Sequence, residues 1–169
     1  MQSRGKPAKK RKSSRVKEDA PIRAITFRRN ITLVDIVSSH MLGQYGFLAE
    51  VFLAFARRSI SIDMIATSEV SVSLTLDTAY DLTALKEELL KIASVEIKSG
   101  KAIVSVIGDV ARSSEILARA FRTCQLSGVP VQMVSQGASK VNISFIVDDT
   151  EAAQVVKALH TEFIESEIS

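Results

Sequence analysis

The chain has 169 residues, of which 46% are hydrophobic and 24% charged, a globular composition with enough apolar material for one domain or two small ones. A single cysteine excludes an internal disulfide framework, and no apolar run reaches the roughly 18 residues of a transmembrane helix. We therefore expect an intracellular protein, cytoplasmic or plastid and not secreted, with no membrane partner.

The net charge of +3 is unevenly distributed along the chain. The first 17 residues carry eight Lys or Arg and no acid, whereas the other 14 basic and all 19 acidic residues leave the rest near −5. We predict that residues 1–20 form a disordered basic tail. A nuclear-localisation-like run at Lys9–Lys12, a weak polyanion contact, a remnant of a targeting peptide and a plain solvated linker all remain open for it.

The predicted elements begin with a lone strand-like segment, Ile22–Arg28, and continue as a βαββαβ series. The β-branched segment Thr32–Val37 precedes a helix whose apolar stripe follows i, i+3, i+4, i+7 spacing at Leu48, Val51, Phe52 and Phe55. The series then continues with strands Ile60–Ala66 and Val70–Leu76, a helix striped by Leu82, Leu85, Leu89 and Ile92 behind an Asp81 cap, and strand Val95–Lys98.

The same series recurs 69 positions later. A gapless shift pairs identical residues: Val37 with Val106, Leu48 with Leu117, Ala49 with Ala118, Phe52 with Phe121, Met64 with Met133, and Val72 with Val141. The second copy comprises strand Ala102–Ile107, a stripe of Leu117, Ala120, Phe121 and Cys124, strands Val129–Ser135 and Val141–Val147, and a stripe of Ala152, Val155, Leu159 and Phe163 behind Asp148 or Asp149. Cys124 is therefore predicted to be a small core residue.

The second copy lacks a convincing last strand, which would leave an open sheet edge, while Ile22–Arg28 lacks a partner. We predict an α+β fold of two ferredoxin-like βαββαβ modules in tandem, the first inserted within the second. The first module covers residues 31–100; the second covers 101–166 and is completed by the strand at 22–29. The predicted central strands carry one aromatic residue, Phe145, so RNA recognition by the sheet, and a nucleic-acid partner generally, are not expected.

Two segments resemble a known family. Met41–Asp77 (MLGQYGFLAEVFLAFARRSISIDMIATSEVSVSLTLD) is similar to the first ACT domain of lysine-sensitive aspartate kinases, and Val131–Val147 (VQMVSQGASKVNISFIV) to the second. The form at Met41–Gly46 is nearest to plant-type members. The resemblance implies two tandem ACT modules that bind a free amino acid and form a homodimer through those modules. It also implies feedback inhibition by lysine of an aspartate kinase domain, carried in cis or in trans, with S-adenosylmethionine as a further effector in plant-type relatives.

The residues at the lysine-contacting positions of the family follow from the same resemblance. They are Met41, Gln44, Gly46, Phe47, Leu48, Ser61, Ile62, Asp63, Ser68 and Glu69. Gly43 and Gln44 depart from the His and Ser of bacterial members. In the second module, Gln132, Gln136 and Asn142 line either an effector pocket or a module interface.

Elementary chemistry agrees with an amino-acid ligand. The free N–H groups of the turn ending at Gly46, with the positive end of the helix dipole, suit a carboxylate. Asp63 is an acid in an apolar run, and a cation would satisfy it. Each position also has an ordinary structural interpretation: Asp63 as a solvent-facing strand residue, Ser68 and Glu69 as turn residues, and Phe47 as core.

No catalytic centre is indicated. The phosphate-binding patterns GxxxxGK[ST] and GxGxxG do not occur, and we interpret the two histidines, His40 and His160, as surface residues. We therefore expect no kinase active site and no metal or cofactor in this chain. A free-standing ACT-type sensor or interaction protein without a kinase, and a truncated gene product, remain alternative hypotheses.

Overall fold

The computed structural model describes residues 22–39, 45–108, 113–136 and 142–165. Six strands form one sheet in the order β2-β3-β1-β4-β6-β5, with four helices. The elements are β1 (Ile22–Val37), α1 (Phe47–Ala56), β2 (Met64–Thr67), β3 (Ser71–Asp77), α2 (Thr83–Leu89), β4 (Ser94–Gly108), α3 (Ser113–Leu126), β5 (Met133–Gln136), β6 (Asn142–Asp148) and α4 (Ala152–His160), which continues as one π-helical turn over Thr161–Glu165. The basic tail lies outside the described residues.

Strands β1 and β4 are each long enough to serve both modules. Within β1, Ile31–Val37 pairs with β3 and with the first half of β4, whereas Ile22–Arg28 pairs with the second half of β4. The second half of β4 also pairs with β6. The predicted fold class, two βαββαβ modules with the first inserted in the second, is thereby confirmed. The exact residue bounds of each module stay a prediction.

Both long strands bend where one module meets the other. Asn30 in β1 has a φ of 58° and Gly100 in β4 a φ of 70°, the left-handed region that Gly and Asn adopt most easily. The pairing register of β1 with β4 shifts on both sides of Ile31, as in a β-bulge. Each bend is tied to the strand beside it, since the backbone N–H of Thr78 donates to Asn30 O (3.1 Å) and that of Asp149 to Gly100 O (2.8 Å).

Three apolar clusters fill the molecule. The first core lies under α1 and α2 and includes Val34, Ile36, Val51, Phe55, Leu74, Leu85 and Leu89. The second core lies under α3 and α4 and includes Val104, Ile116, Cys124, Phe145, Val155, Leu159 and Phe163. The junction core joins the helix-free faces of both modules through Ile31, Leu33, Ile103, Met133 and Ile146, with Met64 and Ala66 packed against it.

The helix stripes were predicted correctly for α2 and α4 but were rotated for α1 and α3. In α1 the buried residues are Phe47, Val51, Ala54 and Phe55, while Leu48 is 37% exposed. In α3, Phe121 is 39% exposed although its neighbours Ala120 and Cys124 are buried. Both helices are apolar on the core side and on one flank, so the i, i+3, i+4, i+7 pattern fits two rotations equally well.

Two strand starts and the α4 cap were predicted wrongly. The N–H of Ile60 donates to Phe55 O (3.1 Å) and that of Val129 to Cys124 O (2.9 Å), so both residues close the preceding helix instead of opening a strand. Glu151 stands at the N-cap of α4 in place of Asp148 or Asp149. Asp81 precedes the α2 N-cap Leu82 by one position, and its Oδ1 accepts from the N–H of Thr83 (3.0 Å), which lowers the pKa of Asp81.

Because both modules share β1 and β4, we expect the molecule to unfold in one cooperative transition. Leu89→Ala empties part of the first core and Phe163→Ala part of the second, each residue being at most 1% exposed. Each substitution should lower the free energy of unfolding by about 2–5 kcal/mol. Urea denaturation followed by circular dichroism measures this.

The neighbouring substitution Leu90→Ala is the matched control, because Leu90 is 52% exposed and should lose well under about 1 kcal/mol. Two resolved transitions, with Leu89→Ala shifting only one of them, would contradict the shared-strand account.

Candidate functional site

The described ligand-binding candidates of the first module divide into two groups at opposite ends of that module. The loop end comprises Gly46, Phe47, Leu48, Ser68 and Glu69. The acid end comprises Ser61, Ile62 and Asp63, which precede β2. Helix α1 runs between the two ends and has ten residues, a length of about 15 Å at 1.5 Å per residue.

Main-chain pairing fixes this separation. The N–H of Ser38, just past β1, donates to Val70 O at 2.9 Å, which ties the β2–β3 turn to the end of β1 that leads towards α1. The N–H of Asp63 donates to Thr75 O at 2.8 Å, near the other end of the module. The turn at Gly46 and the carboxylate of Asp63 therefore lie towards opposite ends of the module, and their roles in ligand binding stay predictions. Met41 and Gln44 lie outside the described residues.

Asp63 carries the chemistry of the acid end. Its Oδ2 accepts a hydrogen bond from the Arg28 guanidinium, and its side chain is 26% exposed. The other terminal nitrogen of Arg28 lies 3.7 Å from Asp77 Oδ1. Two carboxylates thus share one guanidinium, a cluster with a net charge of −1 that suits a further cation.

The remaining acid-end residues contribute packing and backbone. Ile62 is partly buried against the first core, and the N–H of Ser61 donates to Tyr80 Oη at 3.3 Å.

The loop end is built by backbone and turn chemistry. Gly46 is the N-cap residue of α1 and has a φ of 88°. The first turn of α1 is closed by the N–H of Glu50, which donates to Gly46 O at 3.0 Å. Phe47 is buried in the first core at 7% exposure. Ser68 Oγ accepts from the N–H of Ser71 at 3.1 Å and so closes the β2–β3 turn. Glu69 is exposed beside it. Ligand roles for these residues stay predictions.

The equivalent place in the second module has different chemistry. A shift of 69 puts Gln132 at the position of Asp63, and its N–H donates to Ile146 O at 2.9 Å, just as that of Asp63 does to Thr75 O. Gln132 Nε2 donates to Asp148 Oδ1 at 3.1 Å, and Lys101 Nζ donates to the same carboxylate. The hydrogen bond from Lys101, and to a smaller extent that from Gln132, lower the pKa of Asp148. This cluster is neutral overall and already paired.

The other second-module candidates lie along β5 and β6. Asn142 Oδ1 accepts from Ser144 Oγ at 3.2 Å, and Gln136 is exposed at the end of β5. With Gln132 bonded to Asp148, the three side chains do not converge on one another through any hydrogen bond recorded among the described residues. Whether they serve an effector or an interface stays a prediction.

An apolar surface runs along the edge of the first module. Leu48 and Leu53 on α1 are 37% and 52% exposed, and Ile65 on the outermost strand β2 is 43% exposed. The second module has a matching groove of about 440 Å³ that includes Phe121 and Val134. Cys124 lines this groove, and burial raises the pKa of its thiol to about 11, so the thiol stays protonated at neutral pH.

Comparison with known proteins agrees with the fold and the repeat. The family model "ACT domain" matches residues 34–87 and 104–163, the two halves of the repeat. The chain belongs to the ACT-domain family. It is 50% identical over 91% of its length to aspartokinase 3, chloroplastic, of Arabidopsis thaliana, of which it covers 29%. The chain thus spans under a third of the length of that curated relative.

Two solved structures give the same result. E. coli aspartokinase III in complex with lysine and aspartate, described as a T-state, is 41% identical over 85% of this chain and 33% of its own, with a TM-score of 0.72. A domain described as the C-terminal regulatory domain of aspartate kinase from Porphyromonas gingivalis is 30% identical, with a TM-score of 0.72, and 96% of it is covered. The predicted resemblance to plant-type aspartokinase regulatory regions is confirmed, and both modules of the repeat are ACT domains similar to those of these relatives.

Neither a grouped metal site nor a membrane-spanning helix is present among the described residues. In the part of the chain that the structure describes, no three His, Cys, Asp or Glu side chains are grouped as a metal site requires. None of the helices in those ranges has both the length and the apolar character needed to cross a bilayer.

Sequence reasoning missed three members of the charged clusters, Arg28, Asp77 and Lys101, and treated Asp148 only as a cap. Arg28 is 35 residues from Asp63 along the chain, so no local motif connects them. The one available signal was the inserted strand, which ends at Arg28 and brings that side chain to the module junction.

The Asp148 cluster makes stability depend on pH in a defined direction. Its carboxyl pKa is lowered in the folded state, so its contribution is present above the ordinary value of 3.8 and is lost as pH falls through the lower folded value. We expect Asp148→Asn to be less stable than the parent at pH 7. The difference in free energy of unfolding between the two proteins should shrink as the pH falls below the ordinary carboxyl value of 3.8 and through the lower folded value. Thermal unfolding across pH measures it.

The matched control is Asp149→Asn, which removes a charge at the next position, one that pairs with Arg29 at 2.9 Å. Its loss should leave the pairing of Lys101 with Asp148 intact. A difference between Asp148→Asn and the parent that stays constant as the pH falls well below 3.8 would contradict the assignment.

Proposed function

We propose that this chain is the amino-acid-binding regulatory region of an aspartate kinase and that its effector is L-lysine. The observation that carries the proposal is the net negative cluster at the acid end of the first module, set in a family whose E. coli member has been solved with lysine. Lysine brings two ammonium groups, and a carboxylate with one shared counter-ion is a favourable partner for either. The neutral, paired cluster of the second module offers no such place.

The lysine site is formed between two copies of the chain. Within one copy the loop end and the acid end are about the length of α1 apart, farther than a free amino acid with a four-carbon stem can reach. Antiparallel pairing of two β2 edges would place the start of β2 in one copy beside the end of β2 in the other. Asp63 of one copy would then face the loop end of its partner.

The exposed apolar surface supports this pairing. Strand β2 stands at the end of the sheet, where β3 is its ladder partner among the described strands and Ser135 Oγ of β5 donates to Ile65 O at 3.4 Å. A strand edge without a second ladder partner favours addition of another strand. Leu48 and Ile65 flank that edge and are exposed in the single chain. Covering them in a homodimer buries apolar surface while it completes the ligand site.

Regulation follows from differential binding. If lysine binds one arrangement of the paired modules better than another, it shifts the population towards that arrangement and away from the one that supports the kinase domain. The kinase domain is carried in cis or in trans. In this way lysine, a product of the pathway, inhibits the aspartate kinase that catalyses its first step.

Two finer assignments accompany this proposal. S-adenosylmethionine is a second effector, on the strength of the plant-type resemblance, with Gln132, Gln136 and Asn142 of the second module as its polar contacts or as an interface that responds to it. The compartment is the plastid, because the Arabidopsis relatives are chloroplastic.

We expect isothermal calorimetry to detect L-lysine binding by the full chain, and Asp63→Asn to weaken it. Loss of a charge-assisted hydrogen bond should reduce the affinity about 10- to 100-fold. Asp149→Asn, which removes an acid of the second module, should leave the affinity unchanged. Threonine, methionine and S-adenosylmethionine complete the ligand series. Absence of lysine binding to the parent protein would refute the proposed effector.

We expect Ile65→Glu to convert a dimer to a monomer in sedimentation velocity and to weaken lysine binding, because two charges would meet across the paired β2 edges. Leu126→Glu is the control, since Leu126 is 78% exposed at the end of α3, away from β2. Thermal unfolding confirms that both variants are folded. A folded Ile65→Glu dimer that binds lysine normally would exclude the β2 edge as the interface.

A further inference from the structure

Arg28 already occupies the carboxylate that the proposed site offers to its effector. Its guanidinium donates to Asp63 Oδ2, so a ligand ammonium cannot take that position without moving the arginine. Arg28 belongs to the half of β1 that pairs within the second module, whereas Asp63 belongs to the first. The contact therefore joins the ligand site of one module to a strand of the other.

We propose that Arg28 is a resident counter-ion that the effector must displace from Asp63, and that this displacement carries the binding signal into the second module. The inference rests on the proposed lysine site and adds to it the residue that competes with the ligand. Displacement by competition means that the affinity measured for lysine is lower than the intrinsic affinity of the empty carboxylate.

Asp77 lowers the free-energy cost of moving Arg28 away from Asp63. The Arg28 terminal nitrogen that does not bond Asp63 already lies 3.7 Å from Asp77 Oδ1, at the end of β3. A guanidinium released by Asp63 can therefore close on Asp77 and remain paired. The Arg28 side chain is 48% exposed, so water and solvent ions lower the cost of the movement further.

The second module contains an ion pair, Lys101 with Asp148, that the strand register holds in place. Lys101 and Asp148 are directly opposite each other on neighbouring strands, and the Lys101 side chain is only 12% exposed. That pair is held by cross-strand register. Arg28, in contrast, reaches from one module to the other and is exposed, which are properties of a contact that can open.

The position of Arg28 in the strand connects its movement to the junction. The register of β1 with β4 shifts between Arg28 and Ile31, and Asn30 between them has the left-handed backbone that bends β1. The next residue, Arg29, pairs with Asp149 of the second module at 2.9 Å. Moving Arg28 from Asp63 to Asp77 therefore changes contacts at the bend of β1, where the first module meets the second.

The test is calorimetric titration of the full chain with L-lysine. We expect Arg28→Gln to bind lysine about two- to five-fold more tightly than the parent, the range that loss of a competing exposed ion pair supplies. Arg29→Gln removes the same charge one position away and is the matched control, with unchanged affinity. We expect Asp77→Asn to weaken binding by about two-fold or more in the parent and to weaken it less in the Arg28→Gln protein, where only the loss of one negative charge near the ligand remains.

The outcomes separate this inference from the proposed function. If the parent binds no lysine, the proposed function fails and this inference fails with it. If the parent binds lysine and Asp63→Asn weakens that binding, but Arg28→Gln is neutral or weaker, only the inference is overturned. An equal effect of Asp77→Asn in both backgrounds would also overturn it, since Asp77 would then act on the ligand directly.

Discussion

The shared use of β1 and β4 by both modules is the constraint on which the rest of this structure depends. Each strand runs through one module, bends at a left-handed residue, and continues into the other. The bends let the helix-free faces of the two modules meet and enclose Ile31, Ile103 and Ile146. Because both strands continue through the junction, a displacement of either strand in one module extends into the other, which is a mechanical requirement for transmitting a binding signal.

The same constraint explains why two similar modules differ in chemistry. The junction brings the end of the second module's strand, at Arg28, to the acid that begins β2 of the first. On the other side of the pseudo-symmetric scaffold, Lys101 pairs with Asp148 within its own module, and a neutral Gln132 stands where the first module has Asp63. The repeat preserves the backbone and the cores, while a few charged positions give the first module a cluster with a net charge of −1 and the second a neutral one. This agrees with the general rule that a fold is a scaffold and function depends on the site.

The fold could be predicted from sequence to a greater extent than the site. The repeat and the count of strands were enough for the ACT modules and for the insertion, because an unpaired edge and an unpaired strand require each other. The repeat is not gapless throughout: Met64 opposes Thr75 and Met133 opposes Ile146, so the shift is 69 residues at β5 but 71 at β6. The rotation of α1 and α3 could not be predicted, because Leu48 and Phe121 give each helix a second apolar flank. The division of the candidate ligand residues between two ends of the module could not be predicted either. Their distance from α1 along the sequence does not show which end of the helix each side chain lies near. Arg28 was hidden for the same reason, because its partner is far away in the chain.

A ligand site divided between the two ends of a module has a consequence for regulation. If one chain held both ends, lysine would bind each copy independently and would carry no information about how the copies are arranged. In the proposed dimer the two ends belong to different copies, so only an assembled pair in the correct register offers a complete site. The ligand then stabilises that arrangement by the difference in its affinity for the complete and the incomplete site. In the proposed mechanism Arg28 sets the effector concentration required, because its contact with Asp63 must be broken before the arrangement is selected. A modest ion pair suits that role, since a strong buried pair would abolish binding and an absent one would leave the site occupied at low effector concentration.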